Sequence, residues 1–233
     1  RIRAALLGAT GALLVTGCGS GGDLGESDTA GTPADLRLPP GFSAQVVVEG
    51  TGESRVLYVR SDGDIVVSLA GLDDAPHILG LRDKDGDHVI DTVERFHHIT
   101  TPESQRAPQV HIEYSGNHLY AVDNERLVRM RLPPGRLTPD GDIEVIATIP
   151  YQRSHRGRTL SIDDEGWVYV NIGAPSNVCQ AVSRTKGSPG LDPCPQLEQH
   201  AGIWRGRSDV PDQSREDGEL WAGGIRNAIA QTW

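Results

Sequence analysis

The chain of 233 residues carries 22 Lys and Arg against 32 Asp and Glu, which gives a formal net charge of -10. A chain this acidic lacks the broad basic surface that a phosphate backbone requires, so nucleic acid is excluded as a partner. Its 28 glycines and 15 prolines are too many for a helical bundle and follow no collagen-like repeat, which favours a turn-rich β protein.

The N-terminus has the pattern of an export signal. Arg1 and Arg3 precede an apolar run over 4–15 that is too short to cross a bilayer. The run leads into Val15-Thr16-Gly17-Cys18, which resembles a bacterial lipobox. Residues 1–18 are therefore expected to be a lipoprotein-type signal peptide with Cys18 as the lipidation site. An ordinary secretory signal with a spare cysteine is the alternative.

The next segment, 19–35, is rich in Gly, Ser, Thr and Asp and contains no aromatic residue, as expected of a flexible linker. The folded domain is then expected over 36–233. These features predict an exported protein of the periplasm or cell envelope, with membrane contact only through an N-terminal lipid anchor.

The body of the domain has short runs of β-branched and aromatic residues separated by Asp, Gly and Asn turns, and no long stretch has helical spacing. Three runs align on Tyr58, Tyr120 and Tyr169, which are 62 and 49 residues apart. A propeller blade takes about 40 to 50 residues, so these repeats favour an all-β propeller in which packed blades supply the core. A β-sandwich is the alternative. Residues 219–224 are expected to begin a further unit.

An acidic segment over 83–94 places carboxylates at positions 1, 3, 5, 9 and 12 of a twelve-residue loop, the spacing of a calcium loop. His88 stands where an EF-hand has its turn glycine, and Gly86 is expected to make the turn instead. Since no amphipathic helix flanks the loop, we expect a structural calcium site; a solvated acidic turn is the alternative. The predicted ligands are the side chains of Asp83, Asp85, Asp87, Asp91 and Glu94 and the carbonyl of Val89.

Apart from Cys18, the cysteines are Cys179 and Cys194, 15 positions apart in a stretch rich in Gly, Pro and Ser. In an exported chain a disulfide between them is the expected state. A metal or redox pair would have closer spacing. In the chain-entropy model, closing such a loop stabilises the fold by about 3 kcal/mol.

Two polar segments, 153–160 and 223–228, lie next to predicted strands. The first contains His155 among arginines, and the second contains Arg226 and Asn227. Taken alone, a histidine in such a segment is more typical of a surface residue than of a catalytic base.

At these residues the chain resembles the soluble quinoprotein sugar dehydrogenases, and more closely their L-sorbosone dehydrogenase branch, from about Leu38 to the C-terminus. The matching segments are Leu38-Pro39-Pro40-Gly41-Phe42, the acidic loop from Asp83 to Asp91, His155-Arg156-Gly157-Arg158-Thr159-Leu160, Asp164-Glu165-Gly166-Trp167-Val168-Tyr169-Val170, Ala174-Pro175-Ser176-Asn177-Val178-Cys179 and Gly224-Ile225-Arg226-Asn227-Ala228.

This resemblance implies a six-bladed β-propeller that binds pyrroloquinoline quinone (PQQ) and calcium and oxidises a sugar hydroxyl or sugar aldehyde. His155 matches the general base that takes the substrate proton, and Arg226 and Asn227 match a pair that contacts the quinone. An imidazole suits a base near neutral pH, and a fixed cation stabilises charge on a reduced cofactor. Glucose-oxidising members often have an acidic residue before the base, where this chain has Ser154.

The resemblance also implies that the chain is the N-terminal part of a longer dehydrogenase, inactive alone, whose electron acceptor would be a cytochrome or a quinone. Two other functions are compatible with these sequence features. One is a calcium-dependent lactonase or other hydrolase on a propeller, which needs no quinone. The other is a non-catalytic lipoprotein that binds carbohydrate or a partner protein.

Overall fold

The computed structural model describes residues 36–70, 77–97, 110–123, 125–152 and 154–233. The predicted signal peptide 1–18, its Cys18 and the linker 19–35 lie outside the described residues. None of the helices in the described ranges has the length and apolar character needed to span a membrane.

Regular structure in these ranges consists of twelve β-strands and two short 3-10 helices, Pro195–Glu198 and Arg215–Asp217. The strands are β1 (Glu53–Val59), β2 (Ile65–Ala70), β3 (Ile78–Arg82), β4 (Thr92–Phe96), β5 (His111–Ser115), β6 (His118–Val122), β7 (Arg126–Arg131), β8 (Glu144–Thr148), β9 (Leu160–Ile162), β10 (Trp167–Ile172), β11 (Gly202–Arg207) and β12 (Glu219–Gly223).

The strands form three antiparallel four-stranded sheets, each with its strands in chain order: β1 to β4, β5 to β8 and β9 to β12. The first strands of neighbouring sheets pack together, β1 against β5 and β5 against β9. Sheets of this size and order, joined through their first strands, are the blades of a propeller. The predicted all-β propeller architecture is therefore present, and the described residues supply three of its blades.

Two details of the predicted repeat are wrong. Tyr120 and Tyr169 occupy the second strands of their blades, whereas Tyr58 lies on a first strand, so the sequence alignment was shifted by one strand. Alternating apolar residues followed by an acidic turn look the same in a first and a second strand. Residues 219–223 form the fourth strand of the third blade and do not begin a new unit.

The turns between strands follow from local chemistry. Between β5 and β6, Gly116 and Asn117 both have positive φ, of 55° and 64°, as a two-residue type I′ hairpin turn requires. Between β9 and β10, the Asp163 carboxylate accepts hydrogen bonds from the backbone N–H of Glu165 and Trp167 at 2.9 and 2.8 Å and from the Tyr169 hydroxyl at 2.9 Å. Although burial raises the pKa of Asp163, these hydrogen bonds hold it below its ordinary value.

The hydrophobic core lies between neighbouring blades, where their side chains pack together. Leu119 and Ile112 of the second blade are 0% and 1% exposed and share a cluster with Val66 and Ile78 of the first blade. A second cluster joins the second and third blades through the side chains of Tyr120, Val122, Leu127, Ile146, Ile149, Leu160, Val168, Val170 and Ile172. Each fully buried aliphatic side chain contributes about 1.5 to 3 kcal/mol, so the interfaces between blades carry much of the stability.

Each blade presents its connections at two opposite ends, because successive loops of an antiparallel sheet alternate between ends. The blades share one orientation: the Leu160 N–H, at the start of β9, lies 3.4 Å from Nδ1 of His111, at the start of β5. At the other end Arg60, just after β1, donates to the carbonyl oxygens of Pro133 and Arg136, just after β7. We call these the His155 end and the acidic-loop end, after the segments 154–159 and 83–91 that they carry.

Candidate functional site

His155 lies in the connection between β8 and β9 and is half-buried. Its φ is +49°, a left-handed conformation that is uncommon for a residue with a Cβ and is often found at functional positions. The buried side chain of Gln152 fixes this segment by donating to the carbonyl oxygens of Ser154 and His155, both at 2.8 Å. The backbone around His155 is thus held in one arrangement.

The imidazole of His155 has a defined tautomer. Its Nδ1 lies 2.7 Å from the carbonyl oxygen of Ala174. Because a carbonyl oxygen only accepts hydrogen bonds, Nδ1 carries the proton, and the neutral ring keeps its lone pair on Nε2. His155 is therefore arranged to accept a proton at Nε2.

Arg226 reaches the same place from β12. Its carbonyl oxygen accepts a hydrogen bond of 2.7 Å from the Ala174 N–H. Ala174 therefore connects two segments far apart in the chain, the His155 imidazole through its C=O and the Arg226 backbone through its N–H. The Arg226 side chain is exposed, and its Nη1 donates to Oδ1 of Asn177.

Gly173 makes this approach possible. A Cβ built on Gly173 would clash with the carbonyl oxygen of His155 and would lie 2.9 Å from the His155 Cβ and 3.2 Å from the carbonyl oxygen of Arg226. Only a residue without a side chain allows both segments to pack against the end of β10.

Asn227 is placed by Asn171, which is 0% exposed. The Asn171 amide nitrogen donates to Oδ1 of Asn227 at 3.4 Å and to the carbonyl oxygens of Gly157 and Ala228 at 3.3 Å. Its oxygen accepts from the Ala228 N–H at 3.2 Å. The three residues predicted from the resemblance, His155, Arg226 and Asn227, are thus gathered at one end of the third blade.

Two further polar side chains at this end, those of His111 and Arg158, have shifted pKa values. Burial lowers the pKa of His111 from 6.5 to about 4, so its imidazole is neutral at neutral pH. Burial also lowers the pKa of Arg158 to about 10, an effect that nearby Asp123 opposes, and Arg158 stays cationic. The His155 end therefore contains the neutral imidazole of His111 and the cation of Arg158.

The acidic loop lies at the other end of the first blade, between β3 and β4. Ligand oxygens of Asp83, Asp85 and Asp91 lie within 4.8 Å of one another. Asp83 accepts hydrogen bonds from the N–H groups of Gly86 and His88 at 2.7 and 2.9 Å. These hydrogen bonds lower the pKa of Asp83 against the opposing effect of desolvation.

The other predicted ligands lie outside this group of three. Asp87 accepts the N–H of Val89 at 2.7 Å within the loop. Glu94 is exposed on β4, where it pairs with Gly80 of β3. His88 and Gly86 both have positive φ, of 71° and 82°, so the turn is made at the usual EF-hand position as well as at the predicted glycine.

The disulfide between Cys179 and Cys194 is formed and closes the connection between β10 and β11. Ser176 sits beside it, donating to Oε1 of Gln196 at 2.8 Å and accepting the Cys179 N–H at 3.0 Å. The predicted disulfide is confirmed, and the loop that it closes starts at the candidate site.

Several residues that build the site were not singled out from the sequence. Gly173, Ala174, Asn171 and Asn177 act through backbone contacts and hydrogen bonds to other segments, up to 57 positions away in the chain. Ala174 and Asn177 lie in a segment that carries the resemblance, which was the only available signal for them.

No protein-family model matches the chain, and no curated protein matches it. Among solved structures, it is similar to the holo form of the PQQ domain of pyranose dehydrogenase from Coprinopsis cinerea, with a TM-score of 0.65 and 17% identity over 85% of this chain and 45% of that one. It is also similar to the iodide and calcium structures of a Trichoderma reesei carbohydrate-active enzyme of family AA12. Their TM-scores are 0.57 and 0.55 at 16% and 15% identity, over 76% of this chain and 42% of each of theirs.

The chain thus spans less than half the length of the solved structures that it matches. At this level of identity the similarity concerns the fold. The predicted all-β propeller is confirmed, and the chain shares the fold of the PQQ domain of a sugar oxidoreductase.

Proposed function

We propose that the protein containing this chain is a PQQ-dependent sugar dehydrogenase that oxidises a sugar hydroxyl or sugar aldehyde, with His155 as general base and Arg226 and Asn227 as cofactor contacts. The observation that carries this proposal is the meeting of His155 and Arg226 at Ala174, with the His155 lone pair on Nε2. The fold shared with the PQQ domain of pyranose dehydrogenase supports it.

The residues present suit this cofactor. PQQ is a planar quinone with carboxylate groups, and the exposed guanidinium of Arg226 offers a planar cation with several N–H donors. Asn227, the next residue in the chain, adds an amide whose Oδ1 accepts a hydrogen bond from Asn171. When bound, PQQ would supply a two-electron acceptor for the hydride of a sugar C–H bond.

Residues of this chain would take up the proton and stabilise the developing charge. His155 would take the proton of the substrate hydroxyl at Nε2, while the Ala174 carbonyl, by accepting from Nδ1, stabilises the imidazolium that results. Arg226 would stabilise negative charge that develops beside it.

The acidic loop is proposed as a structural calcium site, supported by the three adjacent carboxylates of Asp83, Asp85 and Asp91. A calcium-dependent hydrolase would need its metal beside the base, whereas this cluster lies at the opposite end of the blades from His155. The geometry therefore favours the dehydrogenase over a lactonase that would use the calcium of the acidic loop.

We also propose a branch of the family, a localisation and an electron acceptor for this protein. Ser154 in place of an acidic residue favours the L-sorbosone dehydrogenase branch over the glucose-oxidising members. Export to the periplasm or cell envelope is supported by the disulfide, which is typical of oxidising compartments. A lipid anchor at Cys18 and a cytochrome or quinone as electron acceptor complete the proposal.

The test uses the full-length protein that contains this chain, reconstituted with PQQ and calcium and assayed by reduction of an artificial dye with sugars and sugar aldehydes. His155→Ala is expected to lower kcat about a hundredfold or more. The matched control is His118→Ala, because His118 also places Nδ1 near a carbonyl oxygen, that of Gly116 at 2.9 Å, but at the acidic-loop end. Full turnover by His155→Ala, or no PQQ-dependent dye reduction by the unaltered protein, would contradict the proposal.

A further inference from the structure

Asn177 is the polar contact of the Arg226 guanidinium. It lies in the connection between β10 and β11, half-buried, and its Oδ1 accepts a hydrogen bond from Nη1 of Arg226, 49 positions further along the chain. A planar amide oxygen in this position restricts the directions in which the exposed arginine side chain can point.

The chemical type of this partner matters. Among the described residues, no carboxylate forms an ion pair with Arg226. Asn177 is neutral, so it orients the guanidinium without cancelling its positive charge. An aspartate at 177 would occupy nearly the same space and keep the hydrogen bond, but it would neutralise the cation that an anionic ligand needs.

The loop that carries Asn177 is braced on both sides. Before it, the Ala174 N–H is bonded to the Arg226 carbonyl, and Ser176 is 7% exposed and joined to Gln196. After it, Cys179 is covalently bound to Cys194. These contacts fix the position of the Asn177 side chain relative to the backbone of Arg226.

We propose that Asn177 is a positioning residue of the cofactor site: held by the disulfide-closed loop, it orients the Arg226 guanidinium toward the bound quinone while leaving its charge uncompensated. This inference rests on the proposed function, because it assigns a role in a site that PQQ would occupy. It concerns a residue that acts through Arg226 and does not itself contact the reacting atoms.

The experiment measures PQQ affinity of the full-length apoprotein by absorbance titration, and then kcat and KM at saturating PQQ. The variants are Asn177→Ala, Asn177→Asp, Arg226→Ala and the double variant with both alanines. Val178→Ala serves as the control, because the neighbouring Val178 side chain is 59% exposed. Thermal unfolding of each variant checks that the fold is retained.

Asn177→Ala is expected to weaken PQQ binding about tenfold, the size of a lost hydrogen bond to a charged group. Asn177→Asp is expected to weaken it more, although it preserves shape and hydrogen bonding. Adding Asn177→Ala to Arg226→Ala is expected to change affinity little further, because both act through one guanidinium. A merely structural role would instead predict that aspartate restores binding.

The two proposals fail in different ways. If Arg226→Ala weakens PQQ binding while both Asn177 variants bind like the unaltered protein, Asn177 has no positioning role and the proposed function stands. Additive effects of the two alanines would overturn the positioning role as well. If Arg226→Ala binds PQQ unchanged, the cofactor role of Arg226 is wrong, and the role of Asn177 is wrong with it.

Discussion

The His155 end and the acidic-loop end of the molecule are assembled in different ways. At the acidic-loop end, Asp83, Asp85 and Asp91 come together within one nine-residue turn, through hydrogen bonds to N–H groups of the same loop. At the His155 end, the connection before β9 and the segment after β12 meet only because both pack against the end of β10.

The two ends therefore depend on different parts of the chain in order to form. The acidic loop depends on its own sequence and on the β3–β4 hairpin that carries it. The candidate catalytic site depends on the folding of the whole third blade. Changes at one end should therefore leave the other end intact, and two of the predictions test that independence.

The largest effect is expected for Gly173→Ala. The added Cβ would clash with the His155 carbonyl oxygen, so the His155 and Arg226 segments must move apart. Overpacking of this kind costs about 1 to 3 kcal/mol of stability, and a misplaced base lowers turnover by about a hundredfold. Denaturant unfolding and dye-reduction kinetics of the full-length protein measure the two effects.

Gly190→Ala is the matched control for Gly173→Ala, because a Cβ at Gly190 meets no heavy atom within 4 Å. Calcium affinity of the acidic loop should be the same in both variants. Equal turnover by Gly173→Ala and the unaltered protein would show that the two segments need not meet at β10.

The next effect is on stability alone, with no expected change in the placement of His155, and it is expected for His111→Gln at the His155 end. Burial depresses the pKa of His111 from 6.5 to about 4, so between these values the unfolded state binds a proton that the folded state does not. Stability therefore falls as pH decreases from 6.5 to 4, by about 3 kcal/mol at most. His111→Gln should remove much of this loss.

The measurement is chemical denaturation at intervals between pH 7 and pH 4. Burial also lowers the pKa of His200, so a shallower slope is expected to remain in the variant. A pH profile identical to that of the unaltered protein would mean that His111 titrates normally in the folded state.

The smallest effect is expected for His88→Gly in the acidic loop. His88 has φ of +71°, a conformation that costs a residue with a Cβ about 1 to 2 kcal/mol and costs glycine little. The greater freedom of glycine in the unfolded chain offsets part of this gain, so calcium binding should tighten by only roughly two- to threefold. Isothermal titration with calcium measures the change.

In the same titration, Asp85→Ala is expected to weaken calcium binding, because it removes one of the three adjacent carboxylates. Calcium affinity and stoichiometry unchanged by Asp85→Ala would remove the calcium assignment. A loss of turnover in His88→Gly comparable to that of Gly173→Ala would show that the two ends are coupled.

Much of the local structure could be predicted from the sequence. Apolar alternation between acidic and glycine turns indicated a β protein of repeated units, and the spacing of Cys179 and Cys194 indicated their disulfide. The alignment of Tyr58 with Tyr120 and Tyr169 was wrong by one strand. First and second strands share the same residue pattern, and only their hydrogen-bond pairing distinguishes them. For the same reason residues 219–223 were taken for the start of a unit that they complete.

The candidate site was predicted less fully. His155, Arg226 and Asn227 were found through a resemblance, and no local pattern of residues predicts that they meet. Asn177 was not recognised as a partner of Arg226, because its contact spans 49 positions and no local pattern marks such a pair.

The sequence by itself determined the β character of the chain, the disulfide and the acidic loop, because each depends on residues close together in the chain or on their periodicity. Only the tertiary structure decided which strand begins each blade and that the His155 and Arg226 segments meet at Gly173 and Ala174. It also decided that the acidic loop lies at the opposite end. These features depend on how strands pair and blades pack, and an alternating pattern is compatible with several pairings until the core between the blades selects one.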